Sequence, residues 1–164
     1  MAAQTGRTTF KNLDLRISDA GNGTIRSIPI NSLSVVGVVY DEVDLTAWQD
    51  AVKGALPGMP DSPVDFGGPF DTSAAAAAGT LSGSHTILSA VNGAQTPLML
   101  DIQFGVRHAW EEGEPQFGIT ASATSGYIVT KYTVDPSTMM YSARAVLYPG
   151  SSLPAFGTSA ETTA

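Results

Sequence analysis

Between Phe10 and Ile17 the apolar residues Phe10, Leu13, Leu15 and Ile17 are spaced by polar Asn12, Asp14 and Arg16, the two-residue rhythm of a half-buried strand. A turn at residues 18–23, with two glycines and an asparagine, leads into a second alternating stretch, Thr24–Ile30, in which Pro29 marks an edge or a bulge. The run SVVGVVY, residues 34–40, is continuous, apolar and β-branched, so it predicts a strand covered on both faces, with Gly37 as a bulge or close approach. Further strands are predicted over 61–71, 96–106, 116–122, 127–134 and 139–148, with polar turns at 124–126 and 135–137. Helical spacing occurs twice. Trp48, Val52 and Ala55/Leu56 follow a Thr46–Gln49 capping box, and Ile87, Leu88 and Val91 precede a stop at Gly93. The pattern predicts a mainly β domain over residues 1–150, an antiparallel β-sandwich or barrel with one or two short helices.

The stretch from Tyr40 to Asp71 separates two predicted strands, and residues 41–60 read as a connector loop. Its helix would run only two to three turns and must dock to persist. Trp48 either packs on the sheet of its own subunit or seats the connector against a neighbour. Residues 72–83, TSAAAAAGTLSG, have low complexity and suit a helix or a loop equally. Residues 1–9 read as an N-terminal arm, and residues 151–164 as a flexible C-terminal tail or an arm ordered by a partner.

Composition narrows the function. The chain has 164 residues, no cysteine and a net charge of −7. Disulfides and thiolate metal sites are therefore excluded. No apolar run reaches the ~20 residues of a membrane span, and the N-terminal stretch has no secretion-signal pattern. The eight basic residues are scattered, which disfavours a grip on nucleic acid. His108 with Glu111, Glu112 and Glu114 offers a single imidazole at a predicted hairpin tip, better read as a solvated turn than a metal site. Ser84–His85 lacks the Gly-x-Ser-x-Gly elbow that would expose a nucleophile. The sequence thus predicts no enzyme, no catalytic residue, no metal and no cofactor. Trp48 and Trp110 could stack on sugars, but two isolated tryptophans do not define a platform.

The connector also carries a resemblance. Asp44-Leu45-Thr46-Ala47-Trp48-Gln49-Asp50, then Leu56-Pro57-Gly58-Met59-Pro60-Asp61, then Gly68-Pro69-Phe70-Asp71 resembles the major tail tube proteins of long-tailed bacteriophages. The likeness extends to the 11–30 hairpin and the 96–149 strands, while the Ala-rich segment and Gly67-Gly68-Pro69 depart from it. It implies a virion structural protein whose subunits form rings, typically hexamers, with strands joined edge to edge into an inner barrel. Rings stack into a hollow tube through the connector, here Asp44, Thr46, Trp48, Asp50, Leu56, Pro57, Gly58 and Asp61. Implied partners are further copies, the tape measure, the tail terminator and the tail tip, with a sheath in contractile relatives. DNA transits the lumen without specific binding, and Asp41, Glu42 and Asp101 are candidate lumen acids whose charge would keep it off the wall. Localisation is then the virion tail, after assembly in the host bacterial cytoplasm. The alternative is a capsid decoration protein or a head–tail connector ring (terminator or adaptor).

Overall fold

A computed structural model describes residues 13–19, 23–77, 80–104 and 114–158. Its strands are β1 (Leu13–Ser18), β2 (Ile25–Ile28), β3 (Ser32–Leu33), β4 (Val39–Asp44), β5 (Ala55–Asp61) and β6 (Val64–Pro69). After α1 (Ser84–Val91), the single helix among the described residues, come β7 (Leu100–Phe104), β8 (Pro115–Ile119), β9 (Tyr127–Asp135), β10 (Met140–Leu147) and β11 (Ala155–Thr158). A five-stranded sheet in the order β11-β8-β7-β1-β2 faces a four-stranded sheet in the order β3-β6-β10-β9, and β4 and β5 form a separate hairpin. All named strand pairs are antiparallel. The predicted mainly antiparallel β architecture is the one observed.

Alternation builds the core. Leu15, Ile17, Leu100 and Ile102 point inward from the five-stranded sheet, and Val64, Phe66, Tyr141, Ala143 and Ala145 meet them from the four-stranded one. Helix α1 closes the side of the sandwich with Ile87, Leu88 and Val91, all buried. It ends where Asn92 N–H donates to the Leu88 carbonyl and Gly93 turns to φ +79°, a conformation open to glycine. Gly93 N–H then donates to the Val129 carbonyl, so the helix end covers the first part of the β9 edge.

Three expectations change. The first is the SVVGVVY strand. Only Ser32–Leu33 pair with β6, the chain leaves the sheet across Gly37 (φ +141°), and Val35 and Val39 are exposed. Its β-branched residues serve a departure from the sandwich, with Val36 alone of the valines packing against the core.

The second is the helix in the connector. Residues 46–54 form turns, and β5 returns along β4 with Val43 opposite Leu56 and Asp44 opposite Ala55. The Thr46 hydroxyl, read as a helix cap, instead spans the loop, accepting from Gly54 N–H at 3.0 Å and donating to its carbonyl at 3.3 Å. A two-turn helix with no surface beneath it loses to a cross-strand ladder.

The third is the polar C-terminus. Ala155–Thr158 pair with β8, and Phe156 lies 4.8 Å from Phe117, ring centre to ring centre. Order within 151–158 is therefore supplied by the chain itself. The Ala-rich segment up to residue 77 is irregular and laid against β2, with Arg26 Nη1 donating to the Ala76 carbonyl and Ser82 N–H to the Ser27 carbonyl. The 1–9 arm, His108, Trp110, Glu111 and Glu112 lie outside the described residues. Glu114, read as part of a solvated tip, is buried. No helix among the described residues is long and apolar enough to cross a membrane.

Candidate assembly surface

The β4–β5 hairpin stands off the sandwich as an arm. Nine of the thirteen exposed large hydrophobic side chains among the described residues fall between Val35 and Met59, so the apolar surface is concentrated rather than scattered. Trp48 at the tip is fully exposed, at 105% of its reference area, with Met59 at 81% and Val52 at 77%. Tyr40, Glu42, Ala55, Leu56 and Pro57 line a shallow hollow of about 310 Å³ on the arm. The acids Asp41, Glu42, Asp44, Asp50 and Asp61 share the arm with a single base, Lys53. The hairpin is thus both acidic and apolar, and among the described residues its large hydrophobic side chains stay exposed.

Local polar contacts hold the arm in shape. Asp44 Oδ1 accepts from Thr46 N–H at 2.9 Å, and hydrogen bonding from Thr46 holds the Asp44 carboxyl below the usual range. Asp50 Oδ2 accepts from Ala47 N–H at 2.7 Å and closes the tip. The register slips by one residue between Tyr40 and Glu42, a bulge that twists the ribbon. There Gly58 fits closely: a Cβ would sit 3.0 Å from the Asp41 carbonyl oxygen and 3.1 Å from Val43 Cγ2, tight contacts to which the neighbours would have to yield. Pro57 and Pro60 are tolerated in β5 because its other edge pairs with nothing among the described residues.

The root of the arm is fastened in the core. Ser62, fully buried, donates from Oγ to the Gly37 carbonyl at 2.9 Å and lies 3.1 Å from the Tyr127 hydroxyl. Tyr127 in turn donates to the Ser62 carbonyl at 3.0 Å, and burial pushes its phenol pKa up. The structure thus gathers Asp44, Thr46, Trp48, Asp50, Leu56, Pro57, Gly58 and Asp61 on one exposed hairpin, together with Asp41 and Glu42. Asp101 stands apart on β7, opposite Arg16 and half-buried, and desolvation pushes its carboxyl up to about 6. Sequence reasoning missed Val35, Val39, Tyr40, Val43 and Met59 as surface residues and Ser62 as an anchor. The cue was a β-branched run with no matching run to cover it.

No protein-family model and no curated protein sequence matches the chain. Solved structures of similar fold come from contractile injection assemblies. A chain of the PVC sheath–tube complex in the extended state matches at 11% identity and TM-score 0.54, covering 93% of both chains. A chain of the anti-feeding prophage tube-terminating cap matches at 11% and 0.57, covering 97% of this chain and 96% of that one. A chain of the anti-feeding prophage baseplate matches at 5% and 0.59, covering 93% and 97%. At such identities the shared property is the fold. That fold, shared with components of tube, cap and baseplate complexes, extends along 93–97% of the chain.

Proposed function

We propose that this chain is a structural subunit of a phage-type tail, the repeating unit of a hollow tube made of stacked rings. The observation that carries the reading is the arm at 39–61, whose apolar side chains are left exposed by the described residues of their own sandwich. Rings form by continuation of a sheet edge into the next copy, and the arm joins one ring to the next. Trp48 is its central anchor, flanked by Leu45, Val52 and Leu56, with Asp44, Thr46 and Asp50 holding the tip in shape. The particle tail is the site of action, after assembly in the bacterial cytoplasm. Tape-measure, terminator and tip proteins are the remaining partners, and the lumen serves passage of DNA. A second reading, a terminator or cap ring, is favoured by the likeness to the tube-terminating cap and to a sheath/tube terminator chain at 12% identity and TM-score 0.55.

Electron microscopy of the purified protein, with and without a variant whose 45–53 tip is replaced by a short glycine turn, separates these readings. Uniform hollow tubes from the natural chain and none from the variant support the tube subunit. Single rings that never stack point to the terminator. Monomers that also fail to extend a purified tail-tip complex overturn both and leave a capsid-surface protein.

A further inference from the structure

The two sheets differ in what their outer surfaces and edges can do. In the five-stranded sheet one edge is already used: Leu81 bridges to Ser27 of β2, and Ser82 N–H donates to the Ser27 carbonyl at 2.8 Å. Its outer face is closed as well, with Arg16, Ser27 and Gln103 buried. In the four-stranded sheet both edges are open among the described residues. β3 pairs only with β6, and the bridges from Asn92 and Leu98 to β9 stop at Val129. Residues 130–135 of β9 form the longer open edge and the two residues of β3 the shorter, and two opposite open edges on one sheet allow identical copies to continue it head to tail until it closes. In a sheet closed in this way, with the five-stranded sheet packed on one face, the other face surrounds the axis.

The register identifies that face. Asp65 lies opposite Arg144, Arg144 opposite Lys131, Ser142 opposite Thr133, and Asp135 follows two residues beyond Thr133. Asp65, Lys131, Thr133, Asp135 and Ser142 are exposed, and the Arg144 guanidinium reaches both Asp65 carboxylate oxygens, at 3.0 and 3.2 Å. We propose that this face is the wall of the channel, and that its two cations and two carboxylates leave it without net charge although the whole chain carries −7. The proposal rests on the tube reading and refines it. The excess acid sits elsewhere, much of it on the arm, and the half-buried Asp101 belongs to the other sheet. A passing polymer of either sign then meets hydroxyls, the Arg144–Asp65 ion pair and one further charge of each sign rather than a repelling field, so passage depends on the absence of grip and not on like-charge repulsion.

The lack of any native cysteine makes the test direct. Thr133→Cys and Ser142→Cys variants are labelled, before and after assembly, with a small maleimide and with a maleimide coupled to a globular protein too wide for the lumen. Both reagents should label the free subunit. In tubes the small reagent should still react, and the wide one should be blocked several-fold except at tube ends. Labelling of tubes by the wide reagent at the free-subunit rate places the face outside, and loss of both reactions places it in a subunit contact; either overturns the proposal with tubes in hand. Failure of both variants and the natural chain to form tubes overturns the underlying reading instead. The charge balance is read separately by co-sedimenting tubes with a fluorescent single-stranded oligonucleotide. The natural tube should retain only background amounts. Asp65→Asn with Asp135→Asn should retain several-fold more, lost again at high salt. Equal retention by the two contradicts the balanced wall.

Discussion

The Asp101 carboxylate lies over Gly118, in the space that a side chain at that position would fill. The two residues are direct partners across β7 and β8, and Asp101 is the partner of Arg16 across β1 and β7. Glycine at 118 thus lets a carboxylate lean over the backbone of the next strand. A Cβ there would also meet the Leu100 carbonyl oxygen at 2.5 Å, a contact only backbone movement can relieve. Gly118→Ala should therefore destabilise the domain by about 1–3 kcal/mol, the usual range for overpacking. Urea unfolding checks this, and a midpoint equal to that of the natural chain would show that both the Asp101 side chain and the neighbouring strand backbone give way freely.

Burial of Asp101 has a pH signature. Its folded pKa, raised to about 6 by desolvation against the opposing pull of Arg16, exceeds its ordinary 3.8. The native state thus binds this proton more tightly than the unfolded chain does, and stability falls as pH rises from about 4 to about 6, then levels off. Asp101→Asn should remove the penalty and raise stability at pH 7 by about 1–3 kcal/mol, a gain that disappears near pH 4. Denaturant curves at several pH values decide the matter. A variant weaker than the natural chain at pH 7 would mean that attraction to Arg16 outweighs desolvation.

These inner details were not legible in the sequence. Alternation of Leu15 and Ile17 with Asp14 and Arg16 places β1 correctly, because one core enforces the period, and α1 was legible for the same reason through Ile87, Leu88 and Val91. Alternation does not reveal a second cover, however. Arg16 is 1% exposed on what reads as the solvent face. The arm misleads in a different way. Trp48, Val52 and Leu56 recur every four residues, as they would on a helix, yet they are apolar without facing their own core, so the period carries no helical information. In β11 a lone Phe156 anchors an otherwise small, polar strand, too little pattern to separate it from a tail.

Ser62 couples the arm to the sandwich, and its removal should be felt in both. Ser62→Ala leaves the Gly37 carbonyl without its donor and deprives the Tyr127 hydroxyl of a neighbour in a buried setting. The expected cost is about 1–3 kcal/mol of global stability. Hydrogen exchange should also quicken across β4 and β5 more than across β7 and β8, because the root is the arm's tie to the core. Uniform acceleration everywhere would make Ser62 an ordinary core residue with no special hold on the arm.

Trp48 poses the opposite case. Its indole touches solvent on all sides in the isolated subunit, so Trp48→Ala should leave the unfolding midpoint unchanged within about 0.5 kcal/mol. If the tip is an anchor between rings, the same substitution should cost about 2 kcal/mol per contact. That raises the concentration needed for assembly roughly 30-fold, which light scattering and electron microscopy would read together. The two measurements are independent: a lowered midpoint with precipitation makes Trp48 part of the fold, and normal melting with normal tubes removes it from the interface. Only an intact fold that no longer stacks fits a residue exposed in the subunit so as to be buried in the assembly.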